Sequence, residues 1–272
     1  LGGDLAQLAH VLVAPVAGLE PRRPTLWASL VFALATLTLA WPGLTGKILF
    51  NPYSDQYTNG YGFRYFAEVW LRDGKGFPQW NPFLQGGVPF VAGMHGDVFY
   101  PTFLLRMLIG TAEGITWEFP IHIFLAGLFT YLFLRAWRLP FVASVIGGLA
   151  YMMSGSLAGL ALPGHDGKLF VAALFPLCLH LLTLGVRDGK RWSWGAFALA
   201  IGLALLSPHP QLFQYLLLVA GAYALLLAFT THERIGKLPT ALAVRRLCYA
   251  AGCVALGVLI GAIQFWPLLV YK

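Results

Sequence analysis

The sequence is short of charged residues. Only 11% of its 272 residues are Asp, Glu, Lys or Arg, against about 25% in soluble globular domains. Eleven acidic and eighteen basic side chains are too few to cover the surface of a water-soluble globule of this size. This scarcity excludes an intrinsically disordered chain, a coiled coil and an ordinary cytosolic enzyme, because all three depend on water-facing charges.

Cysteine is also scarce, and several catalytic motifs are missing. Cys178, Cys248 and Cys253 lie in apolar stretches without metal-ligand spacing, so we expect small core residues instead of a disulfide framework. The chain has no glycine-rich nucleotide loop, no serine nucleophile elbow and no HExxH helix. Soluble nucleotide chemistry is therefore not expected, and the net charge of +7 does not require nucleic acid, because membrane proteins concentrate bases in their cytoplasmic loops.

Hydrophobic residues make up 58% of the chain, and they fall into runs long enough to cross a bilayer. The predicted spans are 25–44, 115–134, 141–160, 169–186, 192–206, 212–230 and 247–266. The predicted fold is an all-α polytopic membrane protein of about seven transmembrane helices. Residues 1–24 form a cytoplasmic or interfacial segment, and residues 25–272 form the transmembrane module with a long first outer loop at 45–114.

The distribution of basic residues predicts the orientation. With the N-terminus in the cytoplasm, eleven of the eighteen bases fall in inside segments and seven in outside segments, five of those seven in the long loop. Long loops count little in the positive-inside rule, so the N-terminus is predicted to be cytoplasmic. The loop 45–114 and the turns 162–168 and 207–211 then lie on the outer face, where most acids and histidines collect.

The outer loop is too patterned to be a simple linker. Between residues 56 and 71, aromatic and apolar side chains recur at three- and four-residue steps, which predicts an amphipathic helix with an aromatic face on the membrane surface. Residues 102–109 form an apolar stretch too short to span the bilayer. We expect this stretch to dip into the membrane interface, with Arg106 pointing toward the lipid headgroups.

Asp55 lies just before the amphipathic helix, where two roles are open. A carboxylate in this position suits an N-cap, and Ser54 is the alternative cap. The spacing favours capping over catalysis for Asp55. The two roles are compatible, because a carboxylate at a helix N-terminus stays ionised at neutral pH.

Other ionisable residues have equally ambiguous patterns. His95 and Asp97 lie two apart in a glycine-rich turn, so they could bind a divalent ion, but the favoured interpretation is that Asp97 caps the next helix. Two further places have ionisable side chains that are either functional or simply solvated at the membrane interface. They are the turn with His165, Asp166 and Lys168, and His209 between two prolines. His122 falls inside a span and is predicted to be a hydrogen-bonded core histidine.

Several short motifs follow one another in a fixed order. They are DQY at 55–57, QWNPFLQGGVPF at 79–90, VFYP at 98–101, YMMSG at 151–155, GH at 164–165, PHPQ at 208–211 and AIQFWP at 262–267. Over residues 47–267 this order resembles the YfhO-like bacterial membrane proteins. That family is similar to the GT-C glycosyltransferases, which transfer a sugar from a polyprenyl-phosphate carrier to an acceptor on the outer face.

The resemblance implies an inverting transferase in the bacterial inner membrane. Asp55 matches the acidic residue of the first outer loop and would act as general base on the acceptor hydroxyl. Positive charge, or a divalent cation such as Mg²⁺ or Mn²⁺, would compensate the departing lipid phosphate. The implied substrate-binding residues are Arg64, His165, Asp166, Lys168, His209 and Gln211, and the implied metal ligands are His95 and Asp97.

Two other functions remain open. Members of the family usually have more spans and a soluble outer domain, so the chain is expected to correspond to the N-terminal module. A non-catalytic membrane subunit that keeps the scaffold and packs against a larger membrane complex is the main alternative, favoured by nine Trp and twenty Phe. A transporter is less favoured, because the sequence shows no repeated halves.

Overall fold

A computed structural model describes residues 20–49, 51–84, 86–94, 96–161, 163–232 and 236–271. Within these ranges the chain is mostly helical, and both of its sheets are antiparallel pairs of two-residue strands. The predicted all-α class is therefore confirmed. Most of the predicted N-terminal segment 1–24 lies outside the described residues, as does His95.

The helices are numbered along the chain. They are α1 Pro24–Leu39, α2 Trp41–Leu44, α3 Tyr61–Arg72, α4 Thr102–Ile109, α5 Thr111–Ala136, α6 Phe141–Met152, α7 Gly155–Ala161, α8 Asp166–Leu182, α9 Trp192–Leu206, α10 Pro210–Phe229 and α11 Thr240–Val270. Two π-helical turns, Gln56–Gly60 and Thr183–Arg187, precede α3 and follow α8. The strands are β1 Trp80–Asn81, β2 Val88–Pro89, β3 Thr231–His232 and β4 Gly236–Lys237.

Five helical segments in the described part of the chain are long and apolar enough to cross a membrane. They are Thr111–Ala136, Phe141–Ala161, Asp166–Arg187, Pro210–Phe229 and Thr240–Val270. The other two predicted spans are shorter apolar helices, and α9 has the predicted bounds. Helix α1 ends at Leu39 instead of residue 44, because Pro42 cannot donate the backbone hydrogen bond that would continue the helix. The chain is a helical membrane protein with five helices of clear spanning length among the described residues.

Helix α8 lies at the centre of the bundle. In the segment Asp166–Arg187, which begins with α8, 67% of the residues in the most apolar stretch are buried, whereas a third or less are buried in the same stretch of the other four long segments. One apolar cluster joins α8 to α9, α10 and α11, and a second joins α8 to α1, α5 and α6. Because α8 contributes to both cores, the residues at its N-terminus are held firmly against the neighbouring helices.

The outer loop has a small core of its own. Phe63 and Phe66 of α3 pack with Phe90 and Val98 from the loop that follows the β1–β2 hairpin. The predicted aromatic membrane face of α3 is therefore wrong in part: Tyr65 is exposed, whereas Phe66 faces this core.

The polar side of the loop helices also differs from the prediction. Arg64 and Glu68 lie between the apolar positions of α3, which predicts a polar face for them, but both are buried because both are paired inside the protein. Helix α4 has the predicted bounds, but Arg106 is 1% exposed instead of pointing toward headgroups. Each of these charges is buried only because a carboxylate or hydroxyl meets it there.

Candidate functional site

An open cavity of about 380 Å³ lies at the end of the bundle where α8 and α10 begin. Six of the predicted site residues line it: Asp55, Arg64, His165, Asp166, Lys168 and His209. Gln211, predicted to bind substrate, is not among the lining residues, and its amide donates to the hydroxyl of Tyr215 one turn along α10. The separated motifs of the sequence thus meet in one place.

Asp55, His165 and Lys168 form a chain of hydrogen bonds along the cavity wall. Nε2 of His165 lies 3.2 Å from Oδ2 of Asp55, and Nζ of Lys168 lies 3.0 Å from Nδ1 of His165. A lysine ammonium can only donate, so Nδ1 must accept and Nε2 must carry the hydrogen that His165 donates to Asp55. The Asp55 side chain is 70% exposed, which leaves its second oxygen open to the cavity.

The backbone fixes Asp55 in this position. Its N–H donates to the carbonyl of Pro163 at 2.9 Å, which ties the π-helical turn to the segment before α8. Asp55 makes no side-chain cap bond, so the favoured N-cap prediction is wrong. Ser54 accepts from the N–H of Tyr57 at 3.3 Å and takes the capping role instead, because its short hydroxyl reaches the first free N–H while the Asp55 carboxylate turns toward His165.

Gly164 lets the two segments approach. Its φ is +77°, a conformation that L side chains rarely adopt, and an added Cβ would lie 2.8 Å from the backbone nitrogen of Gln56. A side chain at this position would therefore push the π-helical turn away from the start of α8. The close approach of these two backbone segments therefore requires glycine at the first position of the GH motif.

Arg64 lies beneath the cavity with its guanidinium fully engaged. Its Nε donates to Oδ1 of Asp97 at 2.7 Å, one terminal nitrogen donates to Oε1 of Gln56 at 2.7 Å, and the other pairs with the carboxylate of Asp166. Burial opposes the charged form, but the carboxylates of Asp166 and Asp97 raise the pKa of Arg64 above its ordinary value. These three bonds use three of its five N–H donors, and the side chain is only 2% exposed although it lines the cavity, so a role of Arg64 in binding substrate stays a prediction.

Asp97 does not cap the following helix, contrary to the sequence prediction. Helix α4 has no side-chain cap, and Asp97 is fully buried between Arg64 and Arg106. Arg106 in turn pairs with Glu118 of α5 at 2.8 Å. We call these five residues, Arg64, Arg106, Asp97, Glu118 and Asp166, the buried charge cluster.

The buried charge cluster does not fit a divalent metal ion. Carboxylate oxygens of Asp97, Glu118 and Asp166 lie within 4.8 Å of one another, but each carboxylate is already paired with an arginine. The two guanidinium groups already offset two of the three carboxylate charges, which leaves little net attraction for a divalent cation. Among the described residues, Oδ2 of Asp97 and Oε1 of Glu118 have no hydrogen-bond partner. His95, the other predicted ligand, lies outside those residues.

His209 closes the far side of the cavity as the N-cap of α10. Its Nδ1 accepts the N–H of Leu212 at 3.3 Å, so in the neutral ring Nε2 carries the hydrogen. Burial, followed by the nearby charge of Lys168, lowers the pKa of His209 below its ordinary value. At neutral pH the side chain is therefore an uncharged hydrogen-bond donor.

The structure also adds residues that the sequence did not single out. Gln56 lines the cavity, is 1% exposed, and its amide nitrogen has no partner among the described residues. Glu118 belongs to the buried charge cluster, and the signal for it was a lone acid inside an apolar run, which must find a partner. His122 accepts from the Tyr100 hydroxyl and donates to the Glu118 carbonyl, which confirms it as a core histidine.

Comparisons of the chain with protein-family models, with curated proteins and with solved structures find no match.

Proposed function

We propose that the chain is a GT-C-like membrane glycosyltransferase module, which transfers a sugar from a polyprenyl-phosphate carrier to an acceptor on the extracytoplasmic face of a bacterial inner membrane. The observation that carries the proposal is the cavity itself. It brings an exposed carboxylate, two histidines and a lysine together where two apolar helices begin. An amphipathic substrate with a polar head and a long hydrocarbon chain meets both environments there.

The proposed topology has seven spans with the N-terminus in the cytoplasm. Besides the five long segments, α1 and α9 have 16 and 15 residues, or about 24 and 22 Å at a rise of about 1.5 Å per residue. These lengths fall short of the roughly 30 Å hydrocarbon core, so local thinning of the bilayer or flanking residues would complete the two crossings. In this proposed topology the distribution of basic residues favours an outer-face position for the cavity.

In the proposed reaction Asp55 is the general base. Its open oxygen accepts the proton of an acceptor hydroxyl as the hydroxyl oxygen attacks the anomeric carbon. The bond between that carbon and the phosphate oxygen breaks, and the electron pair leaves with the lipid phosphate; because the hydroxyl attacks from the face opposite this leaving group, the configuration inverts. His165 orients Asp55 by donating to its other oxygen, and the ammonium of Lys168 offsets the negative charge on the leaving phosphate.

Other lining groups suit the polar head of such a substrate. Arg64 is 2% exposed and already makes three bonds, so among the described residues Lys168 is the cation of the cavity wall best placed to meet a phosphate. The amide of Gln56 and Nε2 of His209 are donors that a sugar hydroxyl or a phosphate oxygen can accept. No step of this mechanism requires a metal ion at the buried charge cluster.

An apolar groove of about 230 Å³ lies further along the same two helices. Its walls include Ala172 and Phe175 of α8, and Leu212 and Leu216 of α10. Ala172 is one turn beyond Lys168, and Leu212 is about one turn beyond His209, so each helix presents one continuous stripe from cavity to groove. We propose that the groove holds the first isoprene units of the lipid carrier.

The test is sugar transfer by the purified protein in liposomes, with radiolabelled hexoses linked to undecaprenyl phosphate as donors. Asp55→Asn keeps the shape of the side chain but removes the base, so transfer should fall by about 10²–10⁴-fold. Asp73→Asn is the matched control, because Asp73 is half exposed, pairs with the exposed Lys75 and is not among the cavity-lining residues that the structure describes; it should leave transfer unchanged.

Two results would contradict the proposal. Undiminished transfer by Asp55→Asn would remove the base from the mechanism. No transfer by the wild-type protein with any such donor, together with no binding of undecaprenyl phosphate, would favour the non-catalytic membrane subunit.

A further inference from the structure

One buried guanidinium connects three segments that are far apart in the sequence. Arg64 of α3 bonds Gln56 in the π-helical turn, Asp97 in the outer loop and Asp166 at the start of α8. Its side chain is 2% exposed. A planar guanidinium with several donors can satisfy three acceptors at fixed angles, which a lysine ammonium on a flexible stem cannot do with the same geometry.

Two of these partners are the immediate neighbours of the proposed reacting pair. Gln56 follows Asp55 in the chain, and Asp166 follows His165. Consecutive Cα atoms are about 3.8 Å apart, so holding Gln56 and Asp166 restricts where Asp55 and His165 can lie. The contact between Asp55 and His165 is itself exposed to water on the Asp55 side, and an exposed pair of this kind contributes little to holding its own geometry.

We propose that Arg64 is a positioning residue for the Asp55–His165 pair, an inference that rests on the proposed function of that pair. It holds Gln56 and Asp166 from the buried side and thereby keeps Nε2 of His165 within hydrogen-bond distance of Asp55. Arg64 touches neither the substrate nor the reacting atoms in this account.

The rest of the buried charge cluster anchors Arg64 to the bundle. Oδ1 of Asp97 accepts a hydrogen bond from Arg64 at 2.7 Å and forms an ion pair with Arg106 at 3.1 Å, and Arg106 pairs with Glu118 on α5. Arg64 is therefore connected through Asp97 and Arg106 to the apolar helix α5, and not only to the outer loop. Networks of fully desolvated groups are rigid, because breaking one member leaves another charge without a partner.

Gly60 offers a perturbation of this contact that changes no charged group. Its backbone has ordinary right-handed helical angles, but an added Cβ would meet Oε1 of Gln56 and lie 2.7 Å from a terminal nitrogen of Arg64. Alanine at this position would push the two side chains apart. Gly62, two residues along, has nothing within 4 Å of its Cβ position, so Gly62→Ala is a matched control.

The experiment measures how fast diethyl pyrocarbonate modifies His165, by peptide mass spectrometry of the purified protein in detergent. In the wild type both ring nitrogens of His165 are occupied, so modification should be slow. Gly60→Ala and Arg64→Lys should raise the rate at His165 several-fold. Gly62→Ala and Arg72→Lys, the latter at an arginine half exposed on the same helix, should not change it.

His180 near the other end of α8 is the internal reference. An equal rise at His180 in the Gly60→Ala variant would mean general loosening and would overturn the proposal, as would an unchanged rate at His165 in that variant. If Arg64→Lys does not fold, Gly60→Ala decides alone.

Sugar transfer, where it is detected, gives a second readout. Arg64→Lys should lower kcat by about 100-fold, as expected for a small misplacement of a reacting group, with little change in KM. An unchanged kcat would count against positioning. The modification rates need no sugar donor, so a failure of the proposed glycosyl transfer is distinguishable from a failure of the positioning role.

Discussion

Removing Arg106 should destabilise the protein far more than removing an exposed arginine. Arg106 is 1% exposed and pairs with Glu118 at 2.8 Å and with Asp97 at 3.1 Å. In Arg106→Met the apolar stem is kept, but Glu118 loses the arginine with which it forms a salt bridge, and Oε1 of Glu118 already has no partner among the described residues. Breaking a buried pair by removing one member costs about 3–5 kcal/mol.

The assay is thermal unfolding of the purified protein in one detergent, followed by the loss of monodisperse protein. Arg106→Met should lower the unfolding temperature by about 6–15 °C at roughly 2–3 °C per kcal/mol. Arg72→Met is the matched control, because the Arg72–Glu68 pair is half exposed and such pairs contribute about 0–1 kcal/mol. The double variant Arg106→Met with Glu118→Leu should recover part of the loss, because no charge is then left unpaired.

Equal small effects of Arg106→Met and Arg72→Met would refute this reasoning, because they would mean that Arg106 is solvated. A double variant less stable than the single one would also refute it, since Glu118 would then be stabilising without its arginine.

Three further predictions concern the cavity and the groove. The pKa of His209 is lowered in the folded state, so the folded protein disfavours the protonated ring, and stability is lost as the pH falls below the ordinary histidine pKa near 6.5. His209→Asn can still cap α10 but does not titrate, so the unfolding temperature of this variant should fall less between about pH 7 and pH 5 than that of the wild type. Gly164→Ala should cost at least about 1–2 kcal/mol from its positive φ, measured by thermal unfolding, whereas Gly159→Ala, with open space around it, should cost nothing. Ala172→Phe should fill the groove and raise KM for undecaprenyl-linked donors but not for short-chain analogues, and equal effects on both would contradict the assignment of the groove.

Local sequence patterns predicted those features that depend on local physics. Residues 192–206 and 102–109 are apolar runs bounded by turn residues, and both form helices with the predicted bounds. Asp55 and His165 are 110 positions apart, yet the sequence predicts that they lie at the same end of the bundle. Successive spans alternate in direction, so every second connecting loop lies on the same side of the membrane.

The charged interior of the site could not be read from such patterns. Arg64 falls on the polar side of α3 by its spacing, and Arg106 lies in a short apolar run, so both were expected to face water or lipid headgroups. Their burial depends on Asp97 and Glu118, which come from other segments. Ion pairing across a fold has no local sequence signature, which is also why the pattern around Asp97 predicts a helix cap instead of a buried partner for two arginines.

The most direct test of the account is a density map of the protein in lipid nanodiscs, enlarged by a bound antibody fragment and saturated with undecaprenyl phosphate. We expect density for a phosphate beside Lys168 and Gln56, with a hydrocarbon chain running between α8 and α10. A lipid head bound elsewhere, with Asp55 and His165 facing only solvent, would contradict it.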